Sequence, residues 1–203
     1  NVDALATLSA ISGAAFAQSS VTLYGVVDMG YNTVKLSDGT DTVKQAGLNS
    51  IASGSRIGFK GTEDLGGGLA ANFLMEMGTT PDEATHSMSN RQSYVGLTGG
   101  FGTVNLGRQY TLHHSVQGGA DLIGNVGAAG WIGGLDSRVR QSNAVTYQTP
   151  VFNGFSASAQ VGFGETVQVN GAAKENDQTS VGLNYASGPL ALAYAYEKVK
   201  NAS

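Results

Sequence analysis

The 203-residue chain carries 13% charged residues, a formal net charge of −4, 30 Gly, 3 Pro and no Cys. The absence of Cys excludes disulfides and thiolate metal sites, and the acidic balance gives no support to a nucleic-acid partner. Glycine without a Gly-X-Y period excludes collagen, and a hydrophobic content of 41% argues against disorder. No run approaches the roughly 18 apolar residues of a transmembrane helix.

Residues 4–17 read ALATLSAISGAAFA. This run is too short to span a bilayer. It ends in Ala15-Phe16-Ala17, the A-x-A form of a signal-peptidase site, which makes Gln18 the mature N-terminus. The positive segment that normally precedes such a run is missing, and the chain opens on Asn1 rather than Met. Residues 1–17 therefore read as a partial signal peptide of an exported protein. The plain alternative is a short Ala-rich helix.

From residue 18 onward the dominant period is 2, the period of a strand. Between residues 21 and 31 one phase carries Val21, Leu23, Val27, Met29 and Tyr31, and the other Thr22, Tyr24, Val26 and Asp28. Phe155, Ala157, Ala159, Val161 and Phe163 alternate with Ser156, Ser158, Gln160 and Gly162, and Val181, Leu183 and Tyr185 repeat the pattern. Nine strands are expected, over about 20–34, 53–61, 69–78, 91–98, 103–110, 140–149, 154–164, 179–187 and 189–199. The links alternate between short (62–68, 99–102, 150–153, 187–189) and long (35–52, 79–90, 111–139, 165–178). An up-and-down membrane barrel has this rhythm, with short periplasmic turns and longer outer loops. A soluble all-β sandwich also alternates, with its apolar face inside. Alternation alone does not say which face is wet; the export signal, the strand length of about ten residues and the link rhythm favour the membrane barrel.

Four long blocks carry a family resemblance. QSSVTLYGVVDMG resembles the first strand of the general porins of Gram-negative bacteria, in particular the β-proteobacterial group. SRIGFKGTEDLGGGLAANFLMEMG resembles strands two and three, NRQSYVGLTGGFGTVNLGRQYT strands four and five, and SNAVTYQTPVFNGFSASAQVGF strands six and seven. The resemblance runs from about residue 18 to the end. It implies an all-β, antiparallel transmembrane barrel of 16 strands in the bacterial outer membrane. It also implies homotrimers, contact with outer-membrane lipid, no cofactor, and passive diffusion of small hydrophilic solutes and ions. About nine strands are present before Ser203, so residues 18–203 are expected to be the N-terminal part of such a barrel and not to form a channel alone.

A porin performs no chemistry; pore width and lining charges set its selectivity. Ile57 and Phe59 share the apolar phase, which puts Arg56 and Lys60 in the water-facing phase. Counting back from Val145 and Tyr147 through Thr146, Ala144 and Ser142 puts Arg140 and Arg138 there too. The resemblance implies that Arg56, Arg91 and Arg140 belong to a basic cluster on the barrel wall, with Arg138 a close alternative to Arg140. The alternative is that all are ordinary solvated charges. Arg108 shares parity with Val104 and Leu106 and so points outward; at mid-depth in lipid it would cost roughly 2–4 kcal/mol. A subunit contact or an anchor at a loop base fits it better. Residues 111–137, rich in Gly and Ala, are the expected constriction loop, with Asp121 and Asp136 facing the arginines; the alternative is a flexible external loop. Basic lining groups outnumber the acids Asp28, Glu76, Asp121 and Asp136, which predicts a mild anion preference.

His113 and His114 are adjacent and do not present two metal ligands on one strand face. The triglycine Gly66–Gly68 precedes a strand, not a helix, and is no phosphate loop. Tyr31, Tyr185, Tyr194 and Tyr196 suit aromatic girdles. The rival functions are an outer-membrane barrel enzyme, for which no catalytic constellation stands out, a barrel adhesin, and an exported soluble β-rich binding protein.

Overall fold

A computed structural model describes residues 20–37, 42–49, 54–81, 86–87, 91–120, 139–164 and 177–200. The leader-like run 1–17 lies outside the described residues. The strands are β1 (Ser20–Val26), β2 (Gly30–Ser37), β3 (Thr42–Asn49), β4 (Arg56–Gly66), β5 (Leu69–Thr79) and β6 (His86–Ser87). They continue with β7 (Ser93–Gly99), β8 (Gly102–Tyr110), β9 (Arg140–Gln148), β10 (Phe155–Gly162), β11 (Asp177–Ser187) and β12 (Leu190–Lys200). Among the described residues the helix α1 (Leu112–Ala120) follows β8.

Nine strands form a continuous antiparallel meander in the order β1-β4-β5-β7-β8-β9-β10-β11-β12, with the two-residue β6 added to β5. The hairpin β2–β3 forms a separate sheet. The expected nine-strand wall is therefore present, with local corrections. The strand expected over 20–34 breaks at 27–29, where Asp28 turns to the backbone: its Oδ2 accepts from Gly54 N at 3.1 Å and its own N donates to Ser55 Oγ at 2.9 Å. The strand expected to stop at 61 runs on through the polar Thr62-Glu63-Asp64, paired with Asn72, Ala71 and Ala70. Only Gly67 and Gly68 remain as turn, at φ +62° and +78°, conformations that L side chains rarely adopt. The long link 35–52 contains β3, the link 79–90 contains β6, and the link 111–139 begins as α1.

The pairing register aligns the apolar residues strand by strand. Leu23 faces Phe59, Phe59 faces Met75, Phe73 faces Val95, Val95 faces Leu106, and Leu106 faces Val145. Val145 faces Val161, Ala159 faces Val181, and Val181 faces Tyr196. This face is exposed: Leu23 is 61% accessible, Phe155 60% and Leu183 59%. The opposite face is the buried one, and it is polar. Gln141, Gln160, Gln178 and Ser180 are each 1% accessible, and Ala144 is the one buried hydrophobic among the described residues. Leaving a large apolar side chain in water instead of burying it costs about 1.5–3 kcal/mol. Repeated across this sheet, that exceeds a typical net stability of about 5–15 kcal/mol. The arrangement is stable only where lipid covers the apolar face, which the alternation alone could not decide. Among the described residues no helix is long and apolar enough to cross a membrane, whereas β4, β5, β11 and β12 have 11 residues each, enough to span one as tilted strands.

β1 and β12 are the two edges of the sheet and do not pair with each other. Unpaired backbone groups at an edge are not tolerated in hydrocarbon. A polypeptide of residues 18–203 alone is therefore expected to give no steady single-channel steps in planar bilayers; stable open-channel steps would contradict this.

Candidate functional site

The polar face carries a charge cluster at the end of the sheet where the long links emerge. Glu76 on β5 is its centre, with a side chain only 7% accessible. Its Oε2 lies 3.4 Å from Arg56 Nε and accepts from Tyr24 Oη at 2.9 Å. Its Oε1 accepts from Arg91 Nε. Strand register makes this possible: Tyr24 pairs with Gly58, and Gly58 with Glu76, so three neighbouring strands stack these positions side by side. A Cβ on Gly58 would lie 2.5 Å from Tyr24 Cζ, so any larger residue there would displace the Tyr24 ring from its place on Glu76.

Arg91 Nη2 also donates to Tyr110 Oη, at 3.3 Å, and Arg140 Nη2 donates to the same oxygen at 3.3 Å. The two nitrogens are thus at most about 6.6 Å apart, twice the 3.3 Å hydrogen bond. Two unit charges at that separation repel by about 2.5 kcal/mol at an effective dielectric of about 20; Glu76 offsets part of this. Arg140 also stacks on the Tyr110 ring, with Cζ 4.9 Å from the centroid. Lys60, four residues and about 13 Å further along β4 from Arg56, sits with Nζ 5.5 Å from the Tyr24 ring centroid.

Of the basic residues singled out in the sequence, the structure thus brings Arg56, Arg91 and Arg140 together and puts Lys60 beside them. Arg138, Asp121 and Asp136 lie outside the described residues, as does most of the 111–137 segment. The phase count that led to Arg140 needs correction. Gly107 pairs with Ala144 but Gln109 pairs with Gln141, so β9 carries one extra residue, with Asn143 at φ +49°. This bulge reverses the phase: Gln141 covers Gly162 on the polar face, while Ser142 Oγ accepts from Arg108 Nη1 at 2.6 Å on the other. Arg140 reaches the cluster through its pairing with Tyr110, not by the simple alternation.

The expected irregular loop begins as a helix. Thr111 caps it, with Oγ1 accepting from His114 N at 3.1 Å. Leu112 and Val116, four residues apart, share a face that lines a cleft of about 560 Å³ against Ser158, Gly182 and Ala193. The helix lies on the polar face, where Leu112 Cδ1 is 3.6 Å from the position a Cβ on Gly182 would take. His114 stacks on Tyr110 with ring centroids 4.8 Å apart. Burial, followed by the nearby charges of Arg140, His113 and Arg91, holds its pKa below the usual histidine value of 6.5. Sequence reading missed three members of the cluster as site residues: Tyr24, which was assigned a strand phase but no role, Glu76 and Tyr110. Glu76 counted only as one acid among several, and its place opposite Gly58 is visible only once the β4–β5 register is known. Tyr110 sits in the last position of a strand, where phase carries little information.

Two outcomes follow from this geometry. Glu76→Gln keeps an acceptor for Tyr24 but leaves Arg56 and Arg91 without their anion; it should lower unfolding stability of the full-length barrel by about 1–3 kcal/mol, read from denaturant midpoints, and an unchanged midpoint would contradict the pairing. His114 has a lowered folded pKa, so the unfolded chain takes up its proton first. The stability held above pH 6.5 is then lost as pH falls through the lowered folded value. His114→Gln should remove that part of the acid sensitivity, seen as a smaller drop in melting temperature between pH 8 and pH 5; equal drops in both proteins would count against it.

The chain matches the Gram-negative porin family over residues 4–203. It is 37% identical over 210 residues to outer membrane porin protein 32 of Delftia acidovorans, covering 98% of this chain and 59% of that protein. It is 35% identical over 198 residues to major outer membrane protein P.IB of Neisseria gonorrhoeae, covering 93% and 54%. The solved anion-selective porin from Comamonas acidovorans superimposes with a TM-score of 0.71 at 33% identity, over 89% of this chain and 58% of that one. The chain spans somewhat more than half the length of these relatives. An antiparallel sheet with its apolar face outward, and a match along nearly its whole length, together place the chain in the Gram-negative porin family.

Proposed function

We propose that this chain forms part of the wall of a passive diffusion channel in the bacterial outer membrane, open to small hydrophilic solutes and ions with a mild anion preference. The observation that carries the reading is the gathering of three guanidiniums on the polar face with one carboxylate among them: Arg56 and Arg91 on Glu76, and Arg140 beside Arg91 on Tyr110. Three cations against one anion leave a net positive field, and arginine keeps its charge at any relevant pH. Fixed charge of one sign along a narrow aqueous path raises the local concentration of the opposite ion. The relative solved from Comamonas acidovorans, described as anion-selective, supports the same sign.

In this reading Arg56, Lys60, Arg91 and Arg140 line the pore, as does Arg138, and no catalytic step is required of them. Residues 111–137 act as the constriction loop; the seating of α1 against β10–β12 on the polar face supports this. Asp121 and Asp136 on that loop would face the arginines and set a transverse field. The apolar face meets outer-membrane lipid, and the full-length protein assembles as a homotrimer. Reversal potentials of the full-length protein in a salt gradient test the selectivity: the reading expects anions to be favoured, and clear cation selectivity would refute it.

A further inference from the structure

Arg56 and Arg91 are held by Glu76, and Arg140 is held differently. Among the described residues no carboxylate pairs with Arg140. Its Nε is buried and has no hydrogen-bond acceptor among the described residues. What fixes it is Tyr110, through the 3.3 Å hydrogen bond from Nη2 to Oη and the stacking of the guanidinium on the ring. Tyr110 is itself anchored on three sides. Its N donates to Gln92 Oε1 at 3.3 Å, its carbonyl accepts from Gln160 Nε2 at 2.9 Å, and its ring lies against His114.

The difference matters for charge. A carboxylate orients a guanidinium firmly but cancels its field. A phenol orients it through one neutral acceptor oxygen and the negative face of the ring, and leaves the positive charge standing. The same oxygen accepts from Arg91, so one neutral group sets the spacing of two cations that would otherwise move apart.

We propose that Tyr110 is a positioning residue for anion preference: it holds the Arg140 guanidinium beside that of Arg91 on the polar face without neutralising it. This rests on the channel reading above and deepens it. Removing the hydroxyl frees the two guanidiniums from each other. Removing the ring as well frees Arg140 to swing out of the cluster, with the charge count unchanged throughout.

The test compares the full-length wild-type porin with Tyr110→Phe, Tyr110→Leu, Arg140→Lys and Arg140→Gln in planar bilayers under a potassium chloride gradient. Single-channel conductance in concentrated salt reports pore width; the chloride-to-potassium permeability ratio reports selectivity. The ratio is expected to fall about twofold in Tyr110→Phe and about fivefold in Tyr110→Leu, by more than the conductance changes. Arg140→Lys keeps the charge but loses the planar donor that meets Oη, and should fall toward Arg140→Gln; it also carries the test if Tyr110→Leu does not assemble. Wild-type ratios in Tyr110→Phe and Arg140→Lys, with the ratio lost in Arg140→Gln, would overturn the positioning role and leave the channel reading intact. A wild-type ratio in Arg140→Gln would overturn the positioning role together with Arg140's part in the anion preference.

Discussion

Backbone hydrogen bonding in a medium without water is the constraint on which this structure depends. Inside a bilayer every N–H and C=O must find a partner within the protein. The nine-strand meander does this by antiparallel ladders between successive neighbours. Once the ladder is fixed, alternate side chains must go to opposite faces. Leu23, Phe59, Val95, Val161 and Leu183 then form one apolar surface, and Gln141, Gln160, Gln178 and Glu76 the other side. The usual protein interior is reversed: oil lies outside, and the buried groups are polar.

That reversal lets a cluster of charges exist at all. Three arginines packed within reach of one another would be prohibitive in an apolar core. On the polar face they have a carboxylate, a phenol and, in the assembled barrel, water to solvate them. The placement is built from register rather than from any local motif. Glu76 meets Tyr24 because both flank Gly58, and Arg140 meets Tyr110 because the β8–β9 ladder pairs them beyond the bulge. The bulge also gives Arg108, on the outward face, a hydroxyl partner in Ser142, which lowers the cost of an outward arginine near the loop end.

Much of this was legible from the sequence because period 2 is a direct image of the pleat. The nine wall strands and the short turns emerge from it, and Arg56 and Lys60 fall on the polar side of β4. What was not legible has specific physical causes. Alternation carries no sign, so exposure of Leu23 and burial of Gln160 were needed to say which face is wet. A single inserted residue in β9 inverts the phase, and the count from Val145 back to Arg140 ran straight through it. The helix after Thr111 was hidden by its Gly and Ala content, although Thr111 is a recognisable cap and Leu112 and Val116 have helical spacing. Tyr110 gave no signal, because its role depends on Arg91, just before β7, and Arg140, at the start of β9, arriving from elsewhere in the sheet.

The sidedness of β4 tests the account most directly. Residues 1–203 hold no Cys; with any Cys elsewhere in the full-length protein replaced by Ser, a single thiol at Lys60 and one at the adjacent Phe59 can be compared in lipid vesicles. The account predicts that Lys60→Cys reacts readily with a charged, membrane-impermeant thiol reagent. Phe59→Cys should be protected from that reagent and, once tagged with a fluorophore by an apolar one, be quenched by lipids carrying a quencher in the acyl chain. The opposite pattern, with the Phe59 position water-accessible and the Lys60 position in lipid, would contradict it.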